Sequence, residues 1–210
     1  MKKSTKVGLL VLVSVFSFSG RGFAQGADKQ LSDVVGQGPA GPVVAADGAQ
    51  VIRSKQGVTI SVAMPTPQSG SYNYPPPNPF QTVAPVPGVP EVFTGWAFIF
   101  NAPENCLVPN QCVPPPPNTP APNDFTRGRG GVYNFSGHAV SGGGALNLVG
   151  HIAIGDQQFD GPYGLENPAG AEIHAAIAPH GVLVPDLLPE QIRTPVGNPS
   201  FWWIALFPPE

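Results

Sequence analysis

YNFSGHAVSGGGALNLVGHIAIG, residues 133–155, decides the fold class. Its two arms, 133–140 and 145–155, flank Ser141-Gly142-Gly143-Gly144, where adjacent glycines supply the positive φ angles of a tight turn. In the second arm Leu146, Leu148, Ile152 and Ile154 point one way, and Asn147, Val149, His151 and Ala153 the other. A period of two predicts half-buried strands. A turn on Gly142-Gly143 would pair residues whose numbers sum to 285, setting His138 opposite Asn147 and His151 opposite Asn134.

The same alternation recurs upstream. Residues 49–53, a turn at 54–57 and then 58–64 read as a second strand pair, with Val58, Ile60, Val62 and Met64 on one face and Thr59, Ser61 and Ala63 on the other. GWAFIF at 95–100 and FWWIALF at 201–207 are apolar on both faces; their length, aromatic content and flanking Pro or Gly predict strands covered on both sides. Exposed rings there would instead make a sugar-stacking platform, but runs without polar alternation favour core packing. No segment sustains a 3.6-residue apolar period, and LLPEQI at 187–192 predicts one short helical turn. The chain therefore reads as all-β, an antiparallel sandwich or barrel-like single domain.

The 28 prolines cluster: nine fall between Pro65 and Pro90 and eight between Pro103 and Pro122. Proline cannot donate to a β-ladder, so these tracts are expected as long Pro-rich loops at 65–90 and 103–122. Ahead of the domain, basic Met1-Lys2-Lys3-Ser4-Thr5-Lys6, a short apolar centre and Gly22-Phe23-Ala24 have the layout of a secretory signal peptide, expected to span 1–24. A flexible N-terminal segment at 25–40 and a single β domain at 41–210 complete the expected organisation. The apolar centre is too short for a membrane span, which needs about 20 residues. A secreted or periplasmic protein, with no membrane span after signal cleavage, is the expectation.

Removal of residues 1–24 takes away Lys2, Lys3, Lys6 and Arg21 and leaves 6 basic against 13 acidic residues, a net charge of −7. Such a surface argues against nucleic acid as a partner, because phosphate binding rests on clustered Lys and Arg. Cys106 and Cys112, in NCLVPNQC, are expected to form a local disulfide in an oxidising compartment.

The four histidines, His138, His151, His174 and His180, fall within 43 residues and raise the question of a metal. On the expected hairpin His138 and His151 share a face but lie four rungs apart, about 13 Å, too far for one ion. In GAEIHAAIAPHG, residues 170–181, Ile173 and Ile177 mark a buried face with Ala171 and Ala175, and Glu172 and His174 share the other. Pro179 is expected to end that strand before His180. A metal site, holding Zn or Cu, would then use Glu172 and His174 with His138 or His151. The alternative is an ordinary hydrogen-bonded pair on a half-exposed sheet. Asp156 and Asp160 read as turn residues rather than calcium ligands. No G-x-S-x-G, H-E-x-x-H or P-loop motif is present.

MPTP at 64–67, GWAFIFNAPENC at 95–106 with Cys112, YNFSGHAVSGG at 133–143 and ENPAGAEIHAAIAPHG at 166–181 followed by EQI at 190–192 together resemble a group of secreted bacterial proteins of unassigned function. The resemblance covers roughly 41–207 and implies no activity, cofactor or catalytic residue. The His-bearing strand is also similar to the H-x-H-rich strands of the chordin-type secreted β-domain, with Glu172 where the first histidine would stand. Two function classes follow. One is an exported, non-enzymatic β-domain acting in binding or structure on an extracytoplasmic ligand or protein. The other is a metal-dependent protein or enzyme built on Glu172 and His174.

Overall fold

The computed structural model describes residues 28–37, 41–69, 71–72, 86–113, 124–194 and 202–210. The expected leader at 1–24, and the parts of the Pro-rich tracts at 73–85 and 114–122, lie outside them. Strands β1 (Asp28–Val35), β2 (Val43–Ser54), β3 (Gly57–Pro65), β4 (Glu91–Phe100), β5 (Gly130–Val140), β6 (Ala145–Ala153), β7 (Glu172–Val182) and β8 (Trp203–Phe207) form one antiparallel sheet in the order β5-β4-β7-β8-β1-β2-β3-β6. The sheet curls into a nearly closed barrel, which bears out the all-β reading. Two short helices, α1 (Asp124–Arg127) and α2 (Leu188–Gln191), lie outside it.

Alternation fills the interior. Val58, Ile60, Val62 and Met64 of β3 are buried as their spacing predicts, and Leu146, Leu148 and Ile152 of β6 join them. β2 and β3 make the expected hairpin through a two-residue turn, with Ser54 opposite Gly57. β4 is buried on both faces: Phe93, Ala97 and Ile99 enter the interior, while Trp96 and Phe100 join a second cluster outside with Phe125 of α1 and Trp202. The Cys106–Cys112 disulfide lies in that outer cluster, its Cα atoms 5.3 Å apart. The segments 101–113 and 124–128 thus form a lid over the outer face of β4. Each aromatic ring removed from water there contributes up to about 3 kcal/mol.

The hairpin that signals the fold most clearly is not a ladder. β5 pairs with β4 and β6 with β3, so the two arms are the opposite edges of the sheet, joined across the barrel seam by the turn at 141–144. Phe135 is the extra residue of a bulge opposite Gly95 and Trp96, and bulges bend the strand that carries them. The arms still touch at the expected rung: a Cβ on Gly150 would lie 1.9 Å from the Phe135 carbonyl oxygen, so only glycine fits. Lower on the seam the edge of β5 is occupied instead by the chain after β6, where Val132 N–H donates to Asp160 O at 2.8 Å and Phe159 N–H to Val132 O at 2.7 Å.

Three further expectations are corrected. Asp28–Val35, expected within a flexible segment, is β1, paired with β2 along its length and touching β8 at Val35 and Ile204. Its Gln30, Leu31 and Ser32 show little apolar alternation, so the strand comes from its neighbours rather than from propensity. β8 is covered on one face only, since Leu206 is exposed. Pro179 does not end β7: it pairs with Phe93, and the strand runs on to Val182 through a bulge whose extra residue is His180. A bulge is where a central strand tolerates the missing N–H.

Candidate functional site

Glu172 and His174 fall on one face of β7 as predicted, but that face is not half-exposed. The lid covers it, and both residues are buried. His174 Nε2 lies 2.6 Å from Glu172 Oε1, which also accepts the Cys112 N–H at 2.9 Å. The pair therefore ties the disulfide loop to the barrel wall. The ring of His174 packs 5.4 Å from that of Phe100.

Neither hairpin histidine reaches this pair. His174 is opposite Phe98 and His138 opposite Phe93, five residues away along β4, or roughly 16 Å. His151 lies opposite Thr59 on β3, beyond β8, β1 and β2, and its Nδ1 is 3.0 Å from Thr59 Oγ1. Among the described residues no three His, Cys, Asp or Glu side chains converge as a metal would require. The set Glu172, His174, His138 and His151 is thus brought together only as its first two members. Asp156 and Asp160 act as turn residues: Asp156 Oδ2 accepts the Ala153 N–H at 2.8 Å and Asp160 Oδ1 the Gly161 N–H at 2.7 Å.

His180 is fully buried beneath the strap that carries α2. Its Nδ1–H donates to the Gln191 carbonyl, which fixes the tautomer, and its Nε2 has no partner. Gln191 returns the contact, its amide donating to His180 O at 3.1 Å and Val182 O at 2.9 Å. Burial pushes the imidazole pKa down to about 4.

The aromatic residues expected as alternatives for sugar stacking are not surface rings: Trp96, Trp202 and Trp203 are all at most 8% exposed. Trp203, however, forms the wall of a cleft. At the barrel end where β3 and β1 finish and β8 begins, Val44, Met64, Thr66, Tyr72 and Trp203 line a cavity of about 310 Å³ with Gln37 at its rim. Tyr72 meets Trp203 edge-on at 5.2 Å, and Phe93 meets Trp203 at 6.1 Å. The Thr66 hydroxyl, in a residue only 7% exposed, has no hydrogen-bond partner among the described residues. Behind this wall stands Glu91, the first residue of β4, also buried; the hydroxyls of Ser69 and Tyr72 donate to its two carboxylate oxygens.

Sequence reading did not single out this group. A signal existed for Glu91, a lone carboxylate between Pro90 and an apolar strand. None existed for Thr66, whose importance lies in what fails to reach it. Compared with family models, with characterised proteins and with solved structures, the chain finds no match.

Proposed function

We propose that this chain is an exported, non-enzymatic binding domain, secreted or periplasmic, whose ligand site is the cleft at the barrel mouth. The unpaired Thr66 hydroxyl carries the reading. A buried hydroxyl without a partner costs roughly 1–3 kcal/mol, a cost a ligand atom would remove. Thr66 lines a cavity together with the rings of Tyr72 and Trp203, the side chains of Val44 and Met64 and the polar Gln37 and Ser71, a mixed wall of the kind that binds small molecules in a barrel mouth. Binding rather than catalysis follows from the same hydroxyl: no base reaches it, and an unactivated hydroxyl is a poor nucleophile. The disulfide and the expected leader support an oxidising location.

Val44→Trp would fill the cleft from its wall. Small-molecule fractions of the host's culture medium should raise the melting temperature of the wild-type protein and leave V44W unmoved. A fraction that shifts both proteins equally, or none that shifts the wild type, removes the reading.

A further inference from the structure

Glu91 is a buried charge without a countercharge. The ion pairs among the described residues are Arg53 with Glu210, Arg129 with Glu166 and His174 with Glu172, and none includes Glu91. His138, two rungs from Val140, the ladder partner of Glu91, makes no ion pair with it. The basic side chains stand elsewhere. Lys29, Arg53 and Lys55 lie where β1 starts and β2 ends, and Arg127 and Arg129 just before β5, all at the opposite end of the barrel. Arg193 follows α2, beside Ile192, whose carbonyl takes the side chain of Asn134 on the outer face. The internal segments outside the described residues contain no Lys or Arg at all: 38–40, 70, 73–85, 114–123 and 195–201 are uncharged in sequence. Those internal segments therefore bring no basic residue to the mouth.

Resting on the reading of the mouth as a ligand site, we propose that its ligand is an organic cation, an ammonium group borne on a compact apolar body. Three observations converge on that class. The wall of the cleft is aromatic, with Tyr72 and Trp203 both lining it, and ring faces attract cations by their quadrupole. Tyr72 donates its hydroxyl to the Glu91 carboxylate, which pushes electron density into the ring and strengthens that attraction. The buried carboxylate behind the ring sets a negative potential that no ion pair among the described residues neutralises, and an anionic ligand would be repelled by it.

Three probes with the same branched head separate charge from shape: choline, its neutral isostere 3,3-dimethyl-1-butanol, and the anion 3,3-dimethylbutanoate. Calorimetric titration of the full mature chain should rank choline above the alcohol by about tenfold or more, with the anion weakest. In Glu91→Gln, which keeps the shape and lets one hydroxyl donate to the amide oxygen while the other accepts from the amide N–H, choline should fall to the level of the alcohol while the alcohol is unchanged. Unchanged alcohol binding also reports that the variant is folded. Equal binding of choline and the alcohol to the wild type, or tighter binding of the anion, overturns the cation while leaving the cleft as a site. Parallel loss of both in E91Q makes Glu91 a structural group and likewise overturns it. Failure of all three probes to bind overturns the cation together with the mouth as a site for ligands of this size.

Discussion

Arg53 and Glu91 are each 3% exposed, one at either end of the same barrel, and the chain serves them differently. The Arg53 guanidinium donates to Pro168 O at 2.6 Å, Ala171 O at 2.9 Å, Pro208 O at 3.0 Å and Gln30 Oε1 at 3.1 Å, and Glu210 lies 3.5 Å from its Nε. It draws the loop before β7 and the C-terminus across the barrel floor. Glu91 receives two hydroxyls and no cation, next to a cleft with an idle hydroxyl. A charge held by three backbone carbonyls, an amide oxygen and a nearby carboxylate closes an end. A charge left with neutral partners at an open end can be used by something from outside.

The contrast can be broken most directly at the floor. Arg53→Met leaves the carbonyls of Pro168, Ala171 and Pro208 without a donor, and should cost roughly 3–5 kcal/mol in urea denaturation. A loss below about 1 kcal/mol would show that the floor is not held by this residue.

His180 sharpens the contrast from a third position, a buried group on the outer wall. Its folded-state pKa of about 4 lies below the unfolded value, so the unfolded chain takes up the proton first as pH falls. The contribution is complete above pH ~6.5 and drains away down to about pH 4, an effect on the order of 3 kcal/mol. Stability measured at pH 7 and pH 4.5 should therefore differ less in His180→Gln than in the wild type. Identical pH dependence in the two proteins would remove the imidazole as the cause.

Opening the lid should cost less. Replacing both cysteines by serine frees a loop of sequence separation 6 and should lower stability by about 2 kcal/mol, with faster hydrogen exchange confined to 101–128. Exchange spreading through β1–β3 would show that the lid and barrel are one cooperative unit. The smallest effect belongs to the mouth. Thr66→Val removes a hydroxyl that bonds nothing among the described residues, so stability should rise by about 1 kcal/mol as the burial penalty of the unpaired hydroxyl is lifted, and should in no case fall by more than about 0.5 kcal/mol. A larger loss would mean that the hydroxyl is engaged within the fold, and the mouth would then resemble the floor.

The legible parts of the molecule are those where one local pattern has one outcome. Val58, Ile60, Val62 and Met64 alternate and are buried; GWAFIF is apolar throughout and is covered on both sides; Cys106 and Cys112 are close in sequence and bonded. Arg53 was also within reach, because it continues the inward series Ala49 and Val51. The pairing of Glu172 with His174 follows from period two, whereas their burial depends on a lid contributed by residues 60 positions away. His180 was misplaced because a proline reads as a stop, and only a neighbouring strand such as β4 can turn that stop into a bulge.

By itself, the sequence determined every strand except β1, the buried faces of β3 and β6, and the disulfide, since side-chain alternation and short loops are local properties of the chain. Tertiary structure alone decided which strands pair, and so turned the clearest hairpin into the two edges of a seam. It also decided which charges are answered. Arg53 meets backbone carbonyls from two distant segments, Glu91 meets no cation among the described residues, and both outcomes depend on closing the barrel, because proximity across a closed sheet is set by its register and not by distance along the chain.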